Sequence, residues 1–134
     1  MTFLLDTNAC IRALNGSCAA LEARLRIHPP QDIRLSAVTK AELLYGAYRS
    51  TRAAENLALL EKFWAPFVSL PFDDRSAREY GRIRSDLSRA GEPIGPNDLL
   101  IASVARAHDL TLVTHNLREF SRVPALSLED WEAG

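Results

Sequence analysis

Short apolar segments alternate with helical segments along this chain, and the alternation restricts the fold more than any other feature. The apolar segments typical of strands cover residues 3–5, 33–38, 68–72 and 110–114, and residues 125–128 are a candidate edge strand. Strands separated by helices form parallel sheets, because each connection crosses from one end of the sheet to the other. We therefore predict an α/β fold of three layers, α/β/α, with a mostly parallel central sheet of four to five strands.

The segments between these strands carry apolar residues at the 3.6-residue spacing of amphipathic helices. We predict a helical segment from Ile11 to Leu25 with a break at Gly16, and a helix that begins near Thr39. Further helices are predicted over residues 53–67, over a segment that carries Tyr80, Ile83 and Leu87 and stops at Gly91, and over residues 97–108. The helix over residues 53–67 is the most clearly amphipathic. We expect part of its apolar surface, or the adjacent early helices, to form a homodimer contact or a groove for a partner helix.

The length and composition are those of one globular domain. We predict a single domain over residues 1–134, because no linker or low-complexity stretch divides the chain. The formal net charge of −1 argues against binding nucleic acid by bulk positive charge. No apolar run approaches the ~20 residues of a membrane span. Cys10 and Cys18 are too few for a disulfide framework, so we expect a cytoplasmic protein.

Three acidic residues fall where the strands of such a sheet end or the next helix begins. Asp6 directly follows the first strand, Glu42 is predicted in the first turn of the helix after the second strand, and Asp98 begins a later helix. Ligands of open α/β sheets bind at the carboxyl ends of the strands. Three carboxylates at that edge would repel one another unless a cation lay between them, and oxygen ligands favour Mg²⁺ or Mn²⁺ over zinc. The residues thus indicate a metal site suited to phosphodiester hydrolysis.

Each of these residues also has a purely structural interpretation. Thr39 and Glu42 match a helix capping box, in which the glutamate bonds back to the start of the helix. Asp98 could serve only the dipole of its helix, and Asn116 could be a turn residue. Asp6 is harder to explain in this way, because a carboxylate directly after an apolar strand is expected to be partly buried and to need a compensating charge.

Four segments carry a resemblance to a known family. They are Leu5-Asp6-Thr7-Asn8, the helix around Glu42, Pro93-Ile94-Gly95-Pro96-Asn97-Asp98-Leu99-Leu100-Ile101-Ala102, and Leu112-Val113-Thr114-His115-Asn116-Leu117-Arg118-Glu119-Phe120. In this order and at these spacings they resemble a PIN domain, and more narrowly the VapC toxins of bacterial toxin–antitoxin pairs. The resemblance runs the length of the chain, to Glu129-Asp130-Trp131 near its end.

The resemblance implies an enzyme, a Mg²⁺- or Mn²⁺-dependent endoribonuclease that cuts RNA and inhibits translation. It implies a VapB-type antitoxin as partner, a homodimer, and a transfer RNA anticodon loop as the favoured substrate, with no membrane partner. The partner helix expected at the apolar surface of residues 53–67 would then belong to the antitoxin. By motif, Asp6, Glu42 and Asp98 match the three acids of the family's metal site. They are therefore the predicted catalytic and metal-binding residues.

The fourth metal-site position departs from the acid that often occupies it in this family. Asn116 stands at that position, and Glu119 from the next turn could supply the missing charge, so both are candidate metal ligands. Asn8 and Thr114 are predicted to orient the carboxylates without touching the metal. The departure leaves open whether one or two metal ions bind.

Two other functions are compatible with part of these residues. A phosphatase or dehalogenase would use Asp6 as its nucleophile. Those families usually need a second acid two residues later, where this chain has Asn8, and a suitably placed lysine, whereas the chain has only Lys40 and Lys62. A degenerate PIN domain that binds RNA or a partner without catalysis is supported only by Asn116. Metal-dependent cleavage of RNA would distinguish the three functions.

Overall fold

The computed structural model describes residues 1–133 and contains a central parallel sheet. Its strands are β1 (Phe3–Leu5), β2 (Ile33–Ser36), β3 (Val68–Leu70), β4 (Thr111–Val113) and β5 (Leu128–Glu129). Over these residues the strand order is β3-β2-β1-β4-β5 and every pairing is parallel. The central strand β1 pairs on one side with β2 and on the other with β4, so that Phe3 lies opposite both Ile33 and Thr111. The predicted parallel sheet of four to five strands is confirmed.

Helices connect these strands and form the two outer layers. They are α1 (Thr7–Asn15), α2 (Ala19–Ile27), α3 (Ala37–Tyr48), α4 (Ala53–Trp64), α5 (Asp74–Ala90), α6 (Pro96–Ala107) and the single turn α7 (Leu117–Phe120). The predicted break at Gly16 separates α1 from α2, because Gly16 adopts a left-handed conformation with φ of 63° and closes the end of α1. Gly91 ends α5 in the same way, as predicted.

The two faces of the sheet carry separate apolar cores. Phe3 and Leu5 of β1 face the core formed with α1 to α4, whereas Leu4 between them faces the core formed with α5 and α6. This alternation follows from the pleat of a strand, which points successive side chains to opposite sides. The result is the predicted three-layer α/β/α arrangement.

The start of α3 differs from the prediction. The second strand was expected to reach residue 38, but β2 ends at Ser36 and the helix begins at Ala37. The Ser36 side chain accepts a hydrogen bond from the Thr39 N–H at 3.1 Å, which makes Ser36 the N-cap. The expected capping box at Thr39 is therefore wrong, and Glu42 lies in the second turn of α3. Val38 misled the prediction because its apolar side chain packs against the α5–α6 core from a helix.

Three other boundaries are shorter or shifted. The amphipathic helix expected over residues 53–67 ends at Trp64, and the strand after it ends at Leu70, just before Pro71. The last strand is Leu128–Glu129 rather than residues 125–128, since Ala125 has a positive φ of 57° that a strand does not accommodate. Within residues 1–133, no helix combines the length and the apolar character that crossing a membrane requires.

Candidate active site

A cavity of about 510 Å³ opens where β1 ends, between the starts of α1 and α6 and the second turn of α3. Its lining brings together the three predicted acids from distant parts of the chain. The lining residues are Asp6, Thr7, Asn8, Ile11, Glu42, Leu43, Gly46, Gly95, Pro96, Asn97 and Asp98. The predicted edge of the sheet is thus where the three carboxylates meet.

Asp6 is the buried member of the set, with 3% of its surface exposed. It is the N-cap of α1 and accepts a hydrogen bond from the Ala9 N–H at 2.8 Å. Burial raises the pKa of Asp6 above its ordinary value, while hydrogen bonds from Thr114 and Ala9 oppose the rise. The negative charges of Glu132 and Glu42 raise that pKa further. Asp6 is therefore held in one position in an environment that favours a cation beside it.

Asp98 lies in the first turn of α6, two residues after Pro96. Burial raises the pKa of Asp98 to about 6, and the negative charges of Asp6, Glu119 and Glu42 add to that effect. The rise means that the carboxylates of Asp6, Glu119 and Glu42 are each close enough to repel that of Asp98. A positive ion in the cavity would relieve this repulsion and restore the charged form of Asp98.

Glu42 reaches the cavity from α3 and is held by a hydroxyl group. The Thr7 hydroxyl donates to Glu42 Oε1 at 2.7 Å and lies 3.2 Å from the Thr39 hydroxyl. Thr7 therefore orients Glu42, a role that the sequence prediction did not assign to it. The motif Asp-Thr-Asn contained the signal, but only the packing of α1 on α3 shows where the hydroxyl goes.

The remaining predicted residues take different places around the cavity. Asn8 is exposed and lines it, while Thr114 is buried and bonds Asp6. Thr114 Oγ1 also accepts the Asn116 N–H at 2.9 Å. Asn116 donates its side-chain amide to Glu119 Oε2 at 2.7 Å and lines a neighbouring cavity rather than this one. Glu119 is near enough to Asp98 to affect its pKa.

The C-terminal segment contributes a fifth acid that the sequence prediction missed. Glu132 has only 8% of its side chain exposed, pairs with Arg12 Nε at 2.8 Å and acts on the pKa of Asp6. The ring of Trp131 stacks on that of His28, with centroids 5.0 Å apart, and packs edge-on against Phe3. These ring contacts hold the segment against the sheet. The segment Glu129-Asp130-Trp131 belonged to the resemblance, but nothing in its sequence indicated that the next residue turns toward Asp6.

The donor set around the first cavity fits a divalent cation. Its carboxylates are hard oxygen ligands, and their mutual repulsion is what a cation of charge +2 would remove. Elsewhere in the described chain, His115, Asp130 and Glu132 offer ligand atoms within 4.8 Å of one another. His115 Nδ1 bonds Asp130 Oδ2 at 2.9 Å and Glu132 Oε1 pairs with Arg12, so most of those atoms have protein partners, whereas Glu132 Oε2 is buried without a hydrogen-bond partner among the described residues. The cavity containing Asp6 is therefore the better candidate metal site.

The comparison with known proteins agrees with this geometry. Residues 3–126 match the PIN domain family. The tRNA(fMet)-specific endonuclease VapC of Shigella flexneri is 40% identical over 131 residues, which cover 98% of each chain. The protein of the same name from Salmonella typhimurium is 38% identical over the same share of both chains. The chain belongs to the VapC ribonucleases of the PIN-domain family.

Solved VapC structures have the same fold along almost the whole chain. VapBC of Salmonella typhimurium bound to DNA superposes with a TM-score of 0.93 at 38% identity and covers 98% of both chains. VapBC2 of Rickettsia felis, bound to a promoter DNA fragment, gives a TM-score of 0.92 at 37% identity and covers 98% of this chain and 99% of that one. The expected PIN fold and the resemblance to VapC are both confirmed.

Membership in the VapC family also identifies the class of enzyme. VapC proteins are ribonucleases, so the expectation of a nuclease is confirmed, and the phosphatase or dehalogenase interpretation of Asp6 loses its support. PIN-domain nucleases generally depend on divalent metal ions, in agreement with the acidic cavity.

Proposed function

We propose that this chain is the toxin of a VapBC pair, acting as one nuclease domain that hydrolyses RNA at the Asp6 cavity. The observation that carries the proposal is the convergence of Asp6, Glu42 and Asp98 from three helices on one cavity, in a chain of the VapC family. Mg²⁺ is the favoured ion, with Mn²⁺ as the alternative, because all three side chains offer only oxygen.

In the proposed mechanism Asp6 and Asp98 would hold the metal, and Glu42 would be a further ligand or would orient the attacking water. The bound metal would activate the water and stabilise charge on the phosphate. The Ala9 N–H and Thr114 fix Asp6, so that its orientation does not depend on the ion. Asn116 and Glu119 remain candidate ligands on the β4 side, where Glu119 influences Asp98.

Thr7 and the predicted orienting residues support the same geometry. Thr7 holds one oxygen of Glu42 at 2.7 Å and leaves the other for the metal or its water. Thr114 is buried behind Asp6 and joins it to the backbone of Asn116. Asn8 lies at the open side of the cavity and is available to the substrate or to a metal-bound water.

A transfer RNA is the proposed substrate, cut in its anticodon loop. Support comes from the relatives of Shigella flexneri and Salmonella typhimurium, both named tRNA(fMet)-specific endonucleases. Cleavage of a transfer RNA in the cytoplasm would inhibit translation.

A VapB-type antitoxin is the proposed partner, and a homodimer the proposed assembly. The related structures from Rickettsia felis and Salmonella typhimurium are VapBC complexes. A separate groove, of about 270 Å³, runs between α1, α3 and α4 and is largely apolar. Leu59 in this groove is 57% exposed, and the helix that carries it is the one expected to make a dimer or antitoxin contact. This surface fits an apolar helix face.

The test is a cleavage assay on labelled tRNA(fMet) with the purified chain. We expect specific cleavage with millimolar Mg²⁺ or with less Mn²⁺, none in EDTA, and inhibition by the cognate VapB. Glu42→Gln should lose most activity, whereas Glu55→Gln, on the exposed side of α4, is the matched control and should retain it. Full activity in EDTA would contradict the metal mechanism. RNA binding without cleavage under every metal condition would favour the degenerate PIN domain instead.

A further inference from the structure

Another cavity, of about 430 Å³, adjoins the Asp6 cavity along α1. We call it the α1–β4 cleft. Its lining residues are Asn8, Ile11, Arg12, Asn15, Ser17, His115 and Asn116. Asn8 and Ile11 line both cavities, so an RNA strand with a phosphate beside Asp6 has room to extend into this cleft. The polar lining means that the cleft is suited to a hydrophilic ligand.

One face of α1 forms the wall of the cleft. Asn8, Ile11, Arg12 and Asn15 are spaced three and four residues apart, so they lie on the same side of the helix. All four are exposed, and all four line the cleft. The remainder of α1 is buried through Ala9 and Cys10, which keeps this face turned outward.

The guanidinium of Arg12 is held in place by the carboxylate of Glu132. Its Nε lies 2.8 Å from Glu132 Oε1, and the Glu132 side chain is 8% exposed whereas that of Arg12 is 48% exposed. The contact uses Nε and leaves the two Nη groups for a ligand in the cleft. A guanidinium with one edge fixed by a buried carboxylate presents its other edge in a defined direction, which favours bidentate recognition.

His115 is fixed in a similar way on the opposite wall. Its Nδ1 lies 2.9 Å from Asp130 Oδ2, and 58% of its side chain is exposed. An imidazole held at one nitrogen offers an exposed ring face, and unpaired RNA bases stack on such rings. The cleft therefore combines a hydrogen-bonding edge with a stacking surface.

The charges around the cleft favour a base over a phosphate. Arg12 is the permanent cation in its lining, and the carboxylates of Glu132 and Asp130 lie directly behind the cleft residues. This arrangement has no excess positive charge to hold a phosphate group. Two parallel N–H donors match instead the O6 and N7 acceptors of guanine, which are neutral.

We infer that the α1–β4 cleft binds one unpaired nucleotide of the RNA substrate by its base, with a preference for guanine set by Arg12. The inference rests on the proposed function, because it assigns the nucleotide that lies next to the cleaved phosphate. Arg12 donates from both Nη groups to the base edge, and the His115 ring stacks against its plane. Asn8 and Asn15 supply further hydrogen bonds from α1.

The experiment is a titration of the isotope-labelled full chain, without metal, followed by amide chemical shifts. The probes are 5′-GMP, 5′-AMP and inorganic phosphate. We expect 5′-GMP to shift the amides of residues 8–15 and 115–116 and to bind about tenfold more tightly than 5′-AMP. Arg12→Lys should remove most of that tenfold difference. Arg52→Lys is the matched control, since Arg52 also pairs with a glutamate but lies at the start of α4, and it should change nothing.

Two results would overturn the inference. One is that inorganic phosphate alone shifts the same amides as strongly as 5′-GMP, which would make the cleft a phosphate site. The other is that Arg12→Lys leaves the ratio of 5′-GMP to 5′-AMP affinity unchanged. The titration needs no catalysis. Guanine binding without RNA cleavage would therefore contradict the proposed function but support guanine binding in the cleft. RNA cleavage without selective binding of 5′-GMP would contradict only the inference that the cleft binds guanine.

Discussion

The helices α1 and α6 each bring an aspartate to the same cavity, and they hold it in different ways. Asp6 at the start of α1 is 3% exposed, caps its helix through Ala9 and bonds Thr114. Asp98 at the start of α6 is half-buried, and the start of its helix has no side-chain cap. Its pKa of about 6 reflects burial and the neighbouring negative charges.

Burial raises the pKa of both aspartates, so each costs stability when it is charged, but only Asp6 also serves the fold. Asp6 satisfies a backbone N–H that would otherwise be buried without a partner, so it supports α1 as well as the site. Asp98 is held among other acids and costs stability when it is charged. The same cavity therefore combines a carboxylate that the fold needs with one that it tolerates.

The largest expected effect is on cleavage, and it should be shared by both aspartates. Asp6→Asn and Asp98→Asn should each lower the rate of RNA cleavage by about 100-fold or more, because each removes a proposed metal ligand whose charge is worth several kcal/mol. Asp86→Asn, on the exposed surface of α5, is the control and should cleave normally. The measurement is the single-turnover rate at saturating Mg²⁺. A variant at either position that cleaves like the parent chain would remove that residue from the metal site.

Stability should separate the two aspartates. Asp6→Ala should lower the free energy of unfolding by about 1 kcal/mol through loss of the helix cap, whereas Asp6→Asn retains an acceptor and should lose less. At pH values above 6 and in EDTA, Asp98→Asn should instead raise the free energy of unfolding. The full pKa change of Asp98 corresponds to ~3 kcal/mol, and screening by water at this half-buried group reduces the expected gain to about 1 kcal/mol.

The pH dependence gives the sign of that second effect. The pKa of Asp98 is about 6 in the folded chain and 3.8 ordinarily, so the folded state holds more protons between those values. The free energy of unfolding should therefore fall as the pH rises from about 4 to 6, and Asp98→Asn should flatten that decline. Urea unfolding of the parent chain and of Asp98→Asn at pH 4 and pH 7.5 measures the decline and its flattening. A gain in stability from Asp98→Asn that is equal at the two pH values would contradict the electrostatic explanation.

The smallest expected effect concerns Asn116 and Glu119 beside Asp98. Asn116→Asp adds a carboxylate on the crowded side of the cavity and should lower the Mg²⁺ concentration for half-maximal cleavage by about threefold, since affinity follows ligand charge. Glu119→Gln should raise it by a similar factor, because Glu119 is one of the charges that act on Asp98. A metal titration of each variant measures the change. If neither variant alters the Mg²⁺ requirement, both residues lie outside the metal site.

Much of the fold followed from local patterns. The strand before Asp6, the break at Gly16 and the stop at Gly91 each depend on residues that are adjacent in sequence, and each was predicted correctly. The start of α3 was predicted incorrectly, because Ser36 and Thr39 are both good N-cap residues and packing decides which of them caps the helix. Val38 favours a strand by composition but faces the α5–α6 core from within the helix.

The neighbours of the predicted acids depend on tertiary contacts and could not be predicted in the same way. Thr7 reaches Glu42 only because α1 packs on α3, over a separation of 35 residues. Arg12 meets Glu132 from the opposite end of the described chain. Motifs identify residues that must share a site, whereas the side chains that position them are set by how the helices pack.

The central place of β1 in the sheet has a consequence for how the protein is made. Its partners along the chain are β2, about 30 residues later, and β4, which begins at Thr111. The hydroxyl of Thr114 that bonds Asp6 is synthesised later still. A nascent chain that carries Asp6 therefore cannot complete the pocket around it until the segment with β4 and Thr114 has been synthesised and has folded. The RNA cleavage proposed for this pocket would therefore begin only after β4 has paired with β1.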